Sequence, residues 1–169
     1  GLVAAALSSL SAGASIWCAP AFNALKFYGW LSEAGATWTT AVPTMYQAIL
    51  TRAPRNREAI KSHPLRLLRS SSAAMPPSVL ARLEETFAAP VVESYGMTEA
   101  AQQICSNPVP PGVRKPGSVG PAAGPCIAIL DTSGAPVPAG GAGEVAIRGG
   151  NVMTGYADNP AANEAAFTD

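Results

Sequence analysis

Between residues 37 and 95, three short runs of strand formers alternate with two stretches of helical spacing, and this alternation restricts the possible folds more than any other feature. The first run, residues 37–42, holds Thr37, Trp38, Thr39, Thr40 and Val42 and stops at Pro43. The second is Leu65-Arg66-Leu67-Leu68, and the third opens at Val91-Val92 directly after Pro90. Between the first two, Pro43 and Thr44 are good helix openers, with Met45, Ile49 and Leu50 on the inward side. Pro76 and Pro77 start the next helix, whose apolar positions are Val79, Leu80, Leu83 and Phe87. Strand, helix, strand, helix, strand at this spacing predicts βαβ crossovers and a parallel sheet, hence an α/β fold. The residues that follow Val42, Leu68 and Val92 then share one carboxyl rim, the edge at which open α/β sheets bind ligands.

On either side the pattern is looser. The apolar opening around Leu2 and Leu7 reads as a buried helix, too short and too rich in Ser and Gly to span a bilayer and without the basic start of a signal peptide. Phe22, Leu25, Trp30 and Leu31 lie at helical spacing, with Gly35 placed as a C-cap. Residues 53–64, with Arg55, Arg57 and Lys61, read as a solvated connector. From Gly117 onward Gly/Pro turns separate two strands, residues 126–130 and 144–148, and Asp131-Thr132-Ser133-Gly134 is a turn between them. The expected organisation is therefore an α/β sheet subdomain over 1–116 and a small, β-rich, barrel-like subdomain over 117–169, with a last helix starting at Pro160.

Composition removes several function classes. Eleven basic and 11 acidic side chains balance, so no nucleic acid or anionic membrane is called for electrostatically. Charged residues are only 13% of the 169, which implies faces meant to be covered by further protein. Cys18, Cys105 and Cys126 are scattered, with lone His63 as a possible imidazole partner; no zinc site or disulfide framework results, and a reducing cytoplasm is the natural compartment. There is no GxSxG elbow and no Walker-type Gly-Lys-Ser/Thr.

What remains is the third run and its continuation, Val91-Val92-Glu93-Ser94-Tyr95-Gly96-Met97-Thr98-Glu99. Tyr95 offers a flat face for a base, and Gly96 lets backbone approach a ligand closely. Thr98 can donate to a phosphate oxygen, and Glu99 is a hard oxygen ligand of the kind magnesium takes. Residue types alone fit a strand ending in a polar turn equally well. Ser70, Ser71 and Ser72 after the second run would let a flat ligand approach; tight packing beneath the next helix explains them as readily.

The string Tyr95-Gly96-Met97-Thr98-Glu99 resembles the signature of the adenylate-forming superfamily, which includes acyl-CoA synthetases, peptide-synthetase adenylation domains and luciferases. The order of other segments is similar too: Val42-Pro43-Thr44, the small-residue loop at Ser72, Gly117 to Gly120, Gly143-Glu144-Val145, Arg148-Gly149 and Gly155-Tyr156. The nearest likeness is to ligases of small acids, of the oxalyl- and malonyl-CoA synthetase kind, although oxalyl-CoA members carry histidine where Gln102 stands.

The resemblance implies activation of a carboxylic acid by ATP as an acyl-adenylate, then transfer to coenzyme A. A carrier-protein thiol or an amine as acceptor, or a non-catalytic module retaining the fold, are the alternatives. It further implies that Thr98 bonds the α-phosphate and that Glu99 holds Mg2+. Tyr95 would stack on adenine, framed by Glu93, Ser94, Ser72, Ala73 and Ala74. Gly96 and Met97 would pass beside the acyl group, with Trp38, Val42, Pro43 and Gln102 as its neighbours. The superfamily's lysine-bearing phosphate loop would precede Gly1, and its ribose-binding aspartate and C-terminal domain would follow Asp169. The expectation is an internal piece of a larger enzyme, inactive alone.

Overall fold

The structure, a computed structural model, describes residues 2–167; Gly1 and Asp169, the bounds of the two expected subdomains, lie outside the described residues, as does Thr168. Leu2–Leu7 forms a π-helical stretch running into α1 (Ser8–Ser11). There follow α2 (Phe27–Ala34), β1 (Trp38–Ala41), α3 (Pro43–Leu50), α4 (Arg57–Ser62), β2 (Leu67–Ser70), α5 (Pro77–Phe87) and β3 (Val91–Tyr95). The last elements are β4 (Cys105–Ser106), β5 (Cys126–Leu130), β6 (Glu144–Arg148) and α6 (Pro160–Ala166).

One sheet has the order β1-β2-β3-β4, and β5 pairs with β6 in a second. The expected parallel core is present: Thr39 faces Leu68 and Leu68 faces Val91 in parallel ladders, whereas β4 runs antiparallel to β3. The two strands expected at 126–130 and 144–148 form, and β5 and β6 pair antiparallel, Cys126 opposite Arg148 and Leu130 opposite Glu144.

The main core lies on one face of the sheet, between it and helices α2, α3 and α5. Val79, Leu80, Leu83 and Phe87 are all buried there, as the spacing in α5 requires, together with Leu68 and Val91. Tyr28 stacks on Phe87 with centroids 6.4 Å apart, and its hydroxyl donates to Ile49 O at 2.8 Å. Burial pushes that phenol up to about 12. Tyr46 is fully buried and its hydroxyl donates to Arg69 O at 2.9 Å, pinning α3 to the middle of β2. Tyr46→Phe keeps the ring and removes that bond, so it is expected to lower stability by about 0.5–1.5 kcal/mol, read as a lower denaturant midpoint at unchanged slope.

Four local expectations give way. The opening helix forms but is not buried: Leu2 is 69% and Leu10 57% exposed. α2 starts at Phe27 and leaves Phe22 and Leu25 outside, because Asn23 takes the N-terminal role, its Oδ1 accepting from Leu25 N at 2.9 Å and its carbonyl from Phe27 N at 3.1 Å. Residues 53–64 are not a plain connector but a 3₁₀ turn (Ala53–Arg55) and α4, a short helix with no buried residue. β2 sits two residues later than read, because its central place in the sheet carries Arg69 and Ser70 into the ladder as well. Gly35 does close α2 in the left-handed conformation.

Candidate functional site

The parallel register aligns Ala41, Ser70 and Glu93 across the sheet, so the chain leaves all three strands along one rim. From β1 come half-buried Val42, whose carbonyl accepts the first bonds of α3, and buried Pro43. From β2 comes a loop in which Ser72, Ala73 and Ala74 are exposed, with Ser72 left-handed at φ 72°. From β3 comes the stretch that ends in a 3₁₀ turn, Thr98–Ala100. Trp38 is not brought to this rim. It opens β1 opposite Leu67, at the amino edge, roughly 10 Å of strand away.

Inside β3 every side chain from Val91 to Ser94 is buried, and Tyr95 is the first to be partly exposed. Glu93 is buried and its Oε2 accepts from Gly117 N at 3.1 Å; burial raises its carboxyl above the ordinary range, and the bond from Gly117 partly offsets this. Ser94 is buried too and donates to Ser70 O at 3.4 Å, while the Ser70 hydroxyl itself is buried without a partner among the described residues. Tyr95 is half-buried against the cluster of Ala100, Ile104 and Cys105, and so is Met97.

Gly96 has a different reason to be glycine from the one its position suggested. A Cβ there would coincide with the carbonyl oxygen of Gln102. The chain folds back on itself in a tight loop, Gln102 N donating to Met97 O at 2.8 Å, with Ala101 and Gln102 left-handed at φ 49° and 81°. That loop presents Thr98 and Glu99 outward. Thr98 is exposed and its hydroxyl makes no hydrogen bond among the described residues. Glu99 accepts from Tyr156 OH at 2.9 Å through Oε1. Its own backbone N–H and then the Tyr156 hydroxyl hold this carboxyl below the usual range, while the bond to Glu99 pushes the phenol up.

Two more contacts fasten the same turn: Met153 N donates to Glu99 O and Asn151 Nδ2 to Ala100 O, both at 2.8 Å. Gly155-Tyr156 was legible as a motif, but nothing in the sequence signals that it reaches Glu99. Asn107 was missed as well; its side chain accepts from Lys115 N and donates to Ser118 O, tying the 107–118 loop to the sheet. Among the described residues no three His, Cys, Asp or Glu gather as a metal cage, and no helix is long and apolar enough to cross a membrane. A divalent cation at Glu99 would therefore be of the kind held by one carboxylate and a ligand's phosphates, which suits magnesium.

A family model described as AMP-binding enzyme matches residues 1–157. A probable CoA ligase of Humulus lupulus and an oxalate–CoA ligase of Arabidopsis thaliana are each 48% identical to the chain over 99% of its length, and the matches cover 32% and 33% of those proteins. ATP-bound MatB from Rhodopseudomonas palustris superposes with a TM-score of 0.88 at 33% identity, over 100% of this chain and 33% of that one. The chain thus spans about a third of the length of the curated relatives it matches.

Proposed function

Because the chain belongs to the family of AMP-binding, adenylate-forming enzymes, we propose that it is the central part of an AMP-forming acid–CoA ligase acting on a small carboxylic acid. The observation that carries this reading is the shared rim, where the exposed 72–74 loop lies beside a turn that offers the free hydroxyl of Thr98 and the charged carboxylate of Glu99. In the first half-reaction a carboxylate oxygen of the acid bonds to the α-phosphorus of ATP, and the bond to pyrophosphate breaks. In the second, the coenzyme A sulfur bonds to the acyl carbon and AMP leaves.

The protein's part is to hold the reactants in line and to meet charge where it develops. Thr98 donates to an α-phosphate oxygen. Glu99 keeps its negative charge through neutral pH and, with the phosphates, would hold Mg2+, which would supply charge neutralisation there. Tyr95 gives the exposed part of its ring to adenine, and Ser72, Ala73 and Ala74 give backbone. Glu93 and Ser94 stiffen the strand beneath. Gly96, Met97, Val42, Pro43 and Gln102 border the acyl group. The lysine-bearing phosphate loop and a C-terminal domain would belong to the rest of the parent chain, while Asn151, Met153 and Tyr156 fasten the Thr98–Ala100 turn from the other side.

Coenzyme A and three free thiols fit a cytoplasmic setting. The full-length protein is expected to exchange pyrophosphate into ATP in the presence of a short carboxylic acid and to form that acid's CoA thioester. Absence of exchange with every acid from acetate and malonate to palmitate would remove the reading, and exchange without thioester would move the acceptor to a carrier thiol or an amine.

A further inference from the structure

The Thr98–Ala100 turn is fastened twice through its backbone, and its third contact is of another kind. Met153 N donates to Glu99 O and Asn151 Nδ2 to Ala100 O, both at 2.8 Å. These two bonds already fix the path of the chain. The Tyr156 hydroxyl goes instead to a side chain, donating to Glu99 Oε1 at 2.9 Å. A bond that ends on a carboxylate selects one rotamer of that glutamate rather than a course for the backbone. The carboxylate has two oxygens and about four lone-pair sites, so one phenol leaves it able to meet a cation.

Tyr156 is itself held from behind. Asn163 Oδ1 accepts from Tyr156 N at 2.7 Å and Asn163 Nδ2 donates to Tyr156 O at 3.0 Å, so a single amide clamps both main-chain groups of the tyrosine. Asn163 stands on α6, whose first turn is capped by Asn159, Oδ1 accepting from Ala162 N at 3.1 Å. The tyrosine ring meets Phe167 edge-on, with centroids 6.5 Å apart. Tyr156 is 37% exposed, so burial does not account for this clamp.

We propose that Tyr156, backed by Asn163, is a positioning residue for magnesium: it holds the Glu99 carboxylate in one orientation before Mg2+ and ATP arrive. The inference rests on the adenylation reading, which assigns Mg2+ to Glu99. Ordering a glutamate side chain costs conformational entropy, and a bond already made in the free protein removes that cost from the binding step. Partners that orient a metal-holding side chain typically contribute about 10–100-fold to metal affinity.

The test uses the full-length protein and reads ATP affinity by calorimetry, once with Mg2+ and once with EDTA in its place. The wild type is expected to bind ATP more tightly with Mg2+. Tyr156→Phe keeps the ring, so it should bind metal-free ATP as the wild type does, at an unchanged unfolding midpoint, and lose about tenfold of the magnesium-dependent tightening. Asn163→Ala, acting from behind the tyrosine, should lose a smaller part. Placed in a Glu99→Gln background, Tyr156→Phe should cost nothing further, because the carboxylate it orients is gone. In pyrophosphate exchange, Tyr156→Phe should need more magnesium for half the maximal rate while the KM for the acid stays unchanged. Undiminished tightening in Tyr156→Phe overturns the inference. So does an equal loss of ATP affinity with and without magnesium at a fallen midpoint, which would mean that the bond only fastens the turn. A full additional loss in the Glu99→Gln background overturns it too, since the tyrosine would then act elsewhere. Should Tyr156→Phe not fold, Asn163→Ala decides by the same ratio. A wild type without exchange and without a magnesium effect on ATP removes the adenylation reading and the inference together; a wild type with both, beside an unaltered Tyr156→Phe, removes the inference alone.

Discussion

In the full-length protein, Glu99→Gln is expected to slow the adenylation half-reaction by about 10²–10³, equivalent to roughly 2.7–4 kcal/mol, and to leave thioester formation from supplied acyl-adenylate nearly unchanged. The structure makes this substitution unusually clean. The Tyr156 hydroxyl donates to Glu99 Oε1, and an amide oxygen in the same place still accepts that bond. The backbone bond from Met153 N to Glu99 O does not involve the side chain at all. The turn therefore stays fastened while one negative charge disappears, and a neutral amide holds magnesium less well. Rate should recover in part at high magnesium. If Glu99 were only a solvated rim residue, stability would move within about 0.5 kcal/mol and both half-reactions hardly at all. Equal loss in both half-reactions would point to packing instead.

The second large effect belongs to Gly96→Ala. The new methyl would coincide with the Gln102 carbonyl and lie 3.1 Å from Gln103 N, both backbone atoms. Gln102 cannot retreat without losing its 2.8 Å bond to Met97 O, which closes the loop presenting Thr98 and Glu99. The expected cost is about 1–3 kcal/mol of stability, seen as a lower denaturant midpoint, together with loss of pyrophosphate exchange. Gly29 is the control. It lies in α2 with nothing within 4 Å of its Cβ position, and Gly29→Ala should stabilise by about 0.5–1 kcal/mol without touching exchange. Similar losses at both glycines would discard the steric account.

The parts of the molecule governed by near neighbours were legible in the sequence. Two consecutive prolines and four apolar residues at helical spacing define α5 and its buried face, because a helix reads its own next turn. Gly35 and the Asp131 turn are equally local, the latter closed by Asp131 Oδ1 accepting from Ser133 and Ala135 N–H groups. Where a polar side chain competes with the helix the reading slipped, as at Asn23, and where a helix buries nothing, as in α4, there was no stripe to see. The candidate site divides in the same way. Thr98 is exposed and Glu99 half-buried at the rim because strand order puts them there. That Glu93 turns onto Gly117, that Gly96 makes room for Gln102, and that Trp38 falls at the far edge depend on long-range register, to which no residue type is a guide.

The bond between Tyr156 and Glu99 joins positions 57 residues apart, and Met153 and Asn151 reach back across nearly the same interval. This sets an order of events on the ribosome. The three parallel strands are all in hand once Tyr95 has emerged from the exit tunnel, so the sheet can form early. The Thr98–Ala100 turn then waits for Tyr156, a delay of roughly 3–11 s at about 5–20 residues per second. For that interval the nascent chain has a carboxyl rim whose acidic turn is still unfastened, so the candidate site matures later than the scaffold that carries it.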